Sequence, residues 1–241
     1  MAYLVSELSP AKGFHPTSAS SVYLPGPIPQ YESCSLHLYY SLPPPVFVDT
    51  HELGQRSSSY TFSHWGSRDV EKPVHALPQE TSEVLINVQI PQEGYADEEE
   101  MELNVEVPMH LRYGTPRSTA TSKESEGKPY EEIQVEWPHA FLLCASTSSL
   151  KSRVAQPSLP AHILAALPSR PSRKLIPIPP HSNFTETTTT LLLPLGNPYD
   201  LAFVEPFTAM TVLICFLWIV RVAWKTSRRT EVDTSSRPKT D

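Results

Sequence analysis

Strict alternation of apolar and polar residues is the most regular feature of the chain. It occurs in "SCSLHLYY" (residues 33–40), "EVLINVQI" (83–90) and "MELNVEV" (101–107). Because successive side chains of a strand point to opposite faces, each segment predicts a half-buried β-strand. The second and third segments, separated by the acidic run 97–100, are predicted to pair as antiparallel neighbours around a solvated loop.

Shorter apolar runs add further strands. Residues 46–48 predict a short extended segment, residues 133–137 and 141–144 bracket Pro138 and His139, and residues 187–195 ("TTTTLLLPL") predict a last strand. No amphipathic helix is predicted outside the apolar run at 207–220. The sequence therefore predicts a mainly β fold, an antiparallel β-sandwich-like domain followed by one C-terminal transmembrane helix.

Two segments lack this pattern. Residues 1–30 show no apolar period and predict a flexible N-terminal segment, and residues 146–182 are crowded with proline and serine, which predicts a surface loop or linker. The chain as a whole has 26 prolines and 8 glycines. The predicted organisation is a β-rich domain at 31–145, the loop, a last strand and membrane-proximal segment at 183–202, a transmembrane helix at 203–224 and a basic tail at 225–241.

The uncharged run "FTAMTVLICFLWIV" (207–220) has the composition of a membrane-spanning helix. Arg221 lies where it can snorkel, Trp224 suits the interface, and Lys225 and Arg228 follow. Lysine and arginine are missing between Lys174 and Arg221, so the positive-inside rule places the tail in the cytosol and the preceding domain in the lumen. The sequon beginning at Asn183 is then on the side where N-glycosylation occurs.

The start of the chain carries no recognisable leader. "MAYLVSELSPAKGF" has neither a basic start nor a continuous apolar core, so either the chain begins downstream of the true start or the C-terminal helix directs translocation. The apolar run resembles the tail of a GPI-attachment signal. A polar, basic segment follows it, however, which argues against the protein being GPI-anchored itself.

Charge and cysteine content narrow the function classes. A net charge of −7 without a clustered basic face gives no reason to expect nucleic acid as a partner. The three cysteines, Cys34, Cys144 and Cys215, lack the spacing of a zinc site, and no metal or other cofactor is expected. Cys34 and Cys144 could form the one internal disulfide in an oxidising compartment, or remain two buried thiols.

Candidate catalytic groups are sparse. Asp49, His51 and Glu52 in "VDTHEL" could form an acid/base or metal cluster, but the second histidine of HExxH is missing and a polar turn after a strand is favoured. The acidic run 97–100 is favoured as a solvated loop. The nucleophile elbow, phosphate-binding loop and dinucleotide fingerprint are missing from the sequence.

His110 and Arg112 are two residues apart and share a face if the backbone is extended. They could bind an anion, or pair with acidic groups on a neighbouring strand or subunit. Tyr113 is predicted on the opposite face with Met109 and Leu111, and Pro108 is predicted where strand pairing ends or reaches an edge. No catalytic residue is assigned.

The order of four motifs resembles a known family. "LPPPVFVDTHEL" (42–53), "VPMHLRYG" (107–114), "WPHAFLLC" (137–144) and "LLLPLGN" (191–197), followed by one C-terminal membrane helix, are similar to the PIG-X family and its fungal relatives, the PBN group. PIG-X is the accessory subunit of GPI mannosyltransferase I. The similarity extends over about residues 31–225, and the proline-rich segment 146–182 departs from the family pattern.

The resemblance implies a single-pass protein of the endoplasmic reticulum membrane that stabilises a multi-spanning catalytic mannosyltransferase subunit. It also implies that the motif residues are structural or partner-facing rather than catalytic; these are Asp49, Glu52, Leu53, Pro108, His110, Arg112 and Tyr113. Two alternatives remain open from the sequence. One is a general lumenal chaperone or quality-control factor, and the other is a hydrolase that uses Asp49, Glu52 or His110.

Overall fold

The computed structural model describes most of the chain, namely residues 1–26, 28–70, 72, 74–76, 81–91, 100–114, 130–145, 159–168, 173–197 and 200–235. These residues form two compact units. The first contains all of the described strands, and the second contains the long C-terminal helix.

Twelve strands are present in the described residues: β1 (Tyr3–Ser9), β2 (Thr17–Pro25), β3 (Cys34–Leu42), β4 (Val46–Phe47), β5 (Thr61–Trp65), β6 (Ser82–Gln89), β7 (Glu100–Pro108), β8 (His110–Leu111), β9 (Tyr130–Glu136), β10 (His139–Ala145), β11 (Arg173–Ile178) and β12 (Thr188–Pro194). The α-helices are α1 (Thr50–Gln55), α2 (Ala161–Ala166) and α3 (Leu201–Ser235). Two short 3-10 helices cover Ile28–Tyr31 and Val74–Ala76.

The named strands pair only in antiparallel fashion, which confirms the predicted fold class. One sheet has the order β1-β2-β7, a second has the order β11-β10-β3-β6-β5, and β12-β9 and β4-β8 form two-stranded sheets. The inward-facing residues of these sheets meet in one continuous hydrophobic core, which includes Val22 and Leu24 of β2 and Leu36 and Leu38 of β3. Because apolar side chains alternate along the strands, each sheet has a face that is buried in this core.

The strand partners differ from the prediction. Strands β6 and β7, predicted to pair with each other, belong to different sheets: β6 pairs with β3 and β5, and β7 pairs with β2. Alternation along a strand specifies which face is buried, but it contains no information about which neighbour supplies the hydrogen bonds.

The prediction of a flexible segment at residues 1–30 is wrong. Strand β1 pairs along its whole length with β2, and β2 continues the sheet to β7. The alternation was hidden because three of the inward-facing positions are serines, Ser6, Ser18 and Ser20, which are buried. Their hydroxyls bond to one another and to the buried Tyr40 hydroxyl, with Ser6 Oγ 2.9 Å from Ser20 Oγ. Mutual hydrogen bonding removes most of the cost of burying these groups.

The prediction of a surface loop or linker at residues 146–182 is wrong in part. Residues 146–158 and 169–172 lie outside the described residues, but α2 and β11 are regular structure within this segment. Helix α2 packs Ile163 against Phe141 and Leu143 on the outer face of the five-stranded sheet. Strand β11 contains Pro177, and its position at the edge of that sheet explains why a proline is tolerated there.

Helix α3 begins at Leu201, slightly before the predicted residue 203, and continues past Lys225 to Ser235. Its part Leu201–Arg228, 28 residues, is long and apolar enough to cross a membrane, and its side chains are exposed. The predicted C-terminal apolar helix is confirmed. The first part of the predicted tail continues the same helix.

Candidate functional site

The two segments that carry most of the motif residues meet in the fold. Strand β4 pairs with β8, so that Phe47 lies opposite His110 and Val46 lies opposite Leu111. The backbone N–H of Arg112 donates to the carbonyl of Pro45 at 2.8 Å. The run of prolines therefore ends at a two-residue strand that positions "VFVDTHEL" beside "PMHLRY".

The N-terminal hairpin completes this region. The backbone N–H of Met109 donates to the Pro16 carbonyl and that of Leu111 donates to the Phe14 carbonyl, each at 2.8 Å. The pairing of β7 with β2 ends at Pro108, opposite Thr17, on the edge strand of that sheet. The turn between β1 and β2 thus lies directly beside residues 109–111.

His110 is the centre of the side-chain contacts. Its Nε2 lies 2.7 Å from Glu52 Oε2, its Nδ1 lies 2.9 Å from Nδ1 of His15, and its ring stacks on Phe47 with centroids 5.3 Å apart. One of the two Nδ1 atoms must donate and the other must accept, so only one of the two rings carries its hydrogen on Nδ1 in this bond. Both ring nitrogens of His110 are therefore occupied within the protein.

Helix α1 holds Glu52 in place. Asp49 is its N-cap, and the Asp49 side chain accepts a hydrogen bond from the backbone N–H of His51 at 2.8 Å. Leu53 is fully buried in the core and anchors the helix, while the side chain of His51 is exposed. Asp49, His51 and Glu52 therefore have separate positions and do not converge as an acid/base or metal cluster.

Arg112 is buried, with 5% of its surface exposed. Its guanidinium lies over the Phe47 ring at 4.4 Å, and its Nη1 donates to the Lys72 carbonyl at 2.9 Å. Burial lowers the pKa of Arg112, and the nearby Asp69 carboxylate acts in the opposite direction. A guanidinium enclosed in this way supports the backbone around it, which makes it a poor site for an external anion.

Tyr113 is not placed with Met109 and Leu111 as predicted. Those two side chains are buried, whereas Tyr113 is 75% exposed and lies against Phe14, with ring centroids 4.9 Å apart. Strand β8 ends at Leu111, so the alternation of faces does not extend to residue 113. An exposed aromatic ring supported by a second ring is a typical contact group of protein interfaces.

We call the exposed and half-buried side chains of this region the motif surface; they are Phe14, His15, Phe47, Glu52, His110 and Tyr113. Sequence reasoning singled out Glu52, His110 and Tyr113 but missed Phe14, His15 and Phe47. Phe14 and His15 were missed because they fall in the segment predicted to be flexible. The alternation of Leu4, Ser6 and Leu8 could have revealed β1, had buried serines been considered.

Cys34 and Cys144 form a disulfide between directly opposed positions of β3 and β10. Asn183 is exposed in a turn before β12. The acidic run lies largely outside the described residues, since only Glu100, the first residue of β7, belongs to them. In the described part of the chain, no group of three histidine, cysteine or acidic residues is placed to hold a metal ion.

Comparison with known proteins places these motifs in a family. A family model described as PIG-X / PBN1 matches residues 11–224. Protein pbn1 of Aspergillus oryzae is 30% identical over 165 residues, covering 63% of this chain and 28% of that relative. Protein pbn1 of Neurospora crassa is 31% identical over 145 residues, covering 58% of this chain and 26% of that relative.

A longer alignment exists with protein PBN1 of Gibberella zeae, which is 24% identical over 221 residues, covering 88% of this chain and 41% of that relative. The chain thus spans between about a quarter and two fifths of the length of these curated relatives. The match to the family model begins at residue 11. It therefore includes β2, the strand that pairs with β7 next to the motif surface.

Proposed function

Because the chain belongs to the PIG-X / PBN1 family, we propose that it is a non-catalytic subunit in GPI-anchor biosynthesis. In this proposal it stabilises the multi-spanning catalytic subunit of GPI mannosyltransferase I. That enzyme transfers the first mannose to the glucosaminyl-phosphatidylinositol precursor. The β-rich domain acts in the lumen of the endoplasmic reticulum, α3 crosses the membrane once, and the C-terminal tail is cytosolic.

Two features support this topology. Arg221, Lys225 and Arg228 follow the apolar part of α3, and the positive-inside rule places such residues in the cytosol. The disulfide between Cys34 and Cys144 suits an oxidising lumen on the other side. The charge pattern and the disulfide are independent of each other.

The observation that carries the non-catalytic role is the state of the motif surface. His110 and Glu52 bond to each other, His110 also bonds to His15, and Arg112 is enclosed by Phe47 and the Lys72 carbonyl. A general base or an anion-binding group needs a free atom directed at its substrate. These side chains instead hold α1, β4, β8 and the N-terminal hairpin together, and Tyr113 is left exposed for contact.

The membrane anchor supports the same role. A lipid-linked sugar donor must be enclosed by protein within or beside the bilayer, and one helix cannot form such an enclosure. The subunit would therefore act through protein contacts, with its folded domain and helix adding buried surface to a larger membrane enzyme.

The test is affinity purification of the full chain from cells in mild detergent, combined with its depletion. A many-spanning mannosyltransferase should be the main co-purifying protein. Depletion should lower the amount of that enzyme and cause GPI precursors to accumulate before the first mannose. Purification of many unrelated secretory proteins would favour a general chaperone instead.

A substitution in the motif surface distinguishes a stabilising role from a catalytic role. His110→Ala should weaken the complex and lower the amount of the catalytic subunit in parallel with mannosyltransferase activity. Normal amounts of a fully assembled complex with lost activity would contradict the proposal and indicate a reacting group in this chain.

A further inference from the structure

A row of contacting aromatic side chains, none of them part of the motif surface, consists of four exposed or half-buried rings and one buried ring. Tyr23 stacks on Tyr3 at 4.6 Å, Tyr3 meets the edge of His181 at 4.5 Å, and His181 contacts Phe184 at 6.4 Å between ring centroids. Phe184 lies against Trp137 at 5.1 Å. We call these five residues the aromatic strip. Trp137 is the one strip residue within a family motif, and the proposed function does not account for the strip.

The strip is held on a rigid support. The Leu4 N–H donates to the Pro179 carbonyl and the His181 N–H donates to the Leu4 carbonyl, each at 2.9 Å, which ties the turn to β1. Trp137 is buried, and its Nε1–H donates to Thr189 Oγ1 at 3.3 Å. The rings at both ends of the strip are therefore fixed to strands.

The sequon lies inside this strip. The Phe184 N–H donates to the His181 carbonyl at 3.0 Å, which closes a tight turn with Asn183 at its third position. The Asn183 N–H donates to His181 Nδ1 at 3.2 Å. The side chains of Asn183 and Thr185 are exposed, so the acceptor amide projects from a turn whose first and last residues are aromatic.

Phe184 presents an apolar ring beside the acceptor. It is 45% exposed although its neighbour Trp137 is buried, so one part of the ring is held by the protein and another part is open. The C–H faces of a pyranose ring are apolar and pack against such rings, whose π-faces carry partial negative charge. Asn183 directly precedes Phe184 in this turn, so a sugar attached to Asn183 would begin beside that ring.

We propose that Asn183 carries an N-linked glycan and that its first N-acetylglucosamine packs on Phe184, with the aromatic strip as its docking surface. This inference rests on the lumenal topology of the proposed function. The donor is a polyprenyl-diphosphate-linked oligosaccharide. A bond forms between the Asn183 amide nitrogen and C1 of the sugar, the C1–O bond to the diphosphate breaks, and the amide nitrogen loses one proton.

The glycan then stabilises the fold in addition to making the surface soluble. Covering the open part of Phe184 removes apolar surface from water and restrains the turn that joins β11 to β12. The stabilisation should depend on both partners, the sugar and the ring. A glycan on Asn183 that does not touch the Phe184 ring would contribute the same stability whether or not Phe184 is present.

A four-protein comparison tests this, using the full chain expressed in cells with N-glycosylation and purified in detergent. Thr185→Ala removes the sequon and keeps Asn183 and Phe184, whereas Phe184→Ala removes the ring and keeps the sequon. The double variant lacks both. Glycan occupancy is measured by mass shift after treatment with peptide N-glycosidase, and stability by the thermal midpoint.

The expected result is occupancy in the wild type and in Phe184→Ala only. Thr185→Ala should lower the midpoint by about 2–4 °C, the shift expected from losing one aromatic packing contact in a chain of this size. In the Phe184→Ala background the same loss should nearly disappear. Equal losses in both backgrounds, or an unoccupied Asn183 in the wild type, would overturn the proposal.

Ser57→Asn separates this inference from the proposed function, because it creates a second sequon in the exposed stretch before β5. Occupancy at residue 57 without occupancy at Asn183 refutes the glycan proposal and leaves the lumenal topology intact. Lack of occupancy at both positions refutes the topology and with it both proposals. The glycan proposal is supported if both positions are occupied and Thr185→Ala lowers the thermal midpoint only in the protein that retains Phe184.

Discussion

His110 Nε2 lies 2.7 Å from Glu52 Oε2, which joins two residues 58 positions apart in the sequence. The bond connects the short helix α1 to the short strand β8, neither of which has enough backbone hydrogen bonds to be stable alone. Each motif therefore depends on the other for its conformation. This dependence makes the pair a direct test of whether the motif surface is a structural unit.

We expect Glu52→Gln and His110→Gln to be coupled in stability. Both side chains are partly exposed, so the interaction should contribute about 0.5–1 kcal/mol to the free energy of unfolding, measured by a double-mutant cycle in denaturant. Glu106→Gln, which affects the exposed pair with Arg56, is the control and should show smaller coupling to His110→Gln. Additive effects of Glu52→Gln and His110→Gln would contradict the structural role.

Tyr113→Ala should weaken partner binding without unfolding the domain. The side chain is 75% exposed, so the free energy of unfolding should change by less than about 0.5 kcal/mol. Tyrosine is enriched among the few interface residues that carry most of the binding energy, so we expect affinity to fall at least about fivefold, measured by quantitative co-purification of the proposed catalytic partner. Leu164→Ala, an exposed apolar change on α2, should leave co-purification unchanged. Unchanged binding in Tyr113→Ala would exclude this residue from the interface.

Replacing both Cys34 and Cys144 by alanine should lower the free energy of unfolding by about 2–4 kcal/mol, because the bridge closes a long loop of the unfolded chain. The two residues are 110 positions apart and join the neighbouring interior strands β3 and β10 near one end of their pairing. Thermal unfolding with and without reductant measures the effect. Cys215→Ala, which removes the exposed cysteine of α3 and keeps the bridge, should unfold like the wild type and respond to reductant in the same way.

His37 should make stability depend on pH in the mildly acidic range. Burial against Phe141, with a smaller contribution from the Arg173 charge, lowers the pKa of His37 from 6.5 to about 4. Below pH 6.5 the unfolded chain binds a proton that the native state binds only near pH 4, so stability is full above 6.5 and falls towards 4. The loss should total about 3 kcal/mol.

The measurement for His37 is denaturant unfolding between pH 7 and pH 4, roughly the interval between the two pKa values. His37→Gln should reduce the slope in this range by up to about 1.4 kcal/mol per pH unit, whatever its effect on absolute stability. His51→Gln, at an exposed position, is the control. An unchanged slope in His37→Gln would show that the ring is protonated in the native state.

Leu24→Ala tests whether the N-terminal strands belong to the core. Leu24 is fully buried in β2, so the change should lower the free energy of unfolding by about 2–5 kcal/mol. Glu7→Ala, at an exposed position of β1, should change it by less than about 0.5 kcal/mol. A negligible effect of Leu24→Ala would mean that residues 1–26 do not contribute to the folded core.

Much of the fold could be predicted from local pattern. Strands β3, β6, β7, β9, β10 and β12 each overlap a predicted strand because their apolar residues recur on one face or in one short run. Strands β1 and β2 could not be predicted in the same way, since Ser6, Ser18 and Ser20 occupy buried positions that normally hold apolar side chains. Polar residues there become acceptable only when the Tyr40 hydroxyl and the serine hydroxyls meet.

The candidate site was predicted only as separate pieces. Glu52, His110 and Tyr113 were marked by the motifs, and the sequence left open whether His110 would meet an anion or an acidic side chain. The structure provides Glu52 as that acidic partner and adds His15 from a segment predicted to be flexible. Contacts across 58 and 95 residues depend on how sheets are assembled, which no local period encodes.

The sequence alone determined most features that depend on short stretches of chain: an apolar C-terminal helix, predicted at 203–224, and most of the half-buried strands with the faces that they bury. These follow from periodicity and from the requirement that a membrane helix satisfy its own backbone hydrogen bonds. The tertiary structure decided which strands are neighbours, brought Cys34 opposite Cys144 and placed Glu52 beside His110. Those relationships require distant segments to share a register, and register is determined only when the whole core is packed.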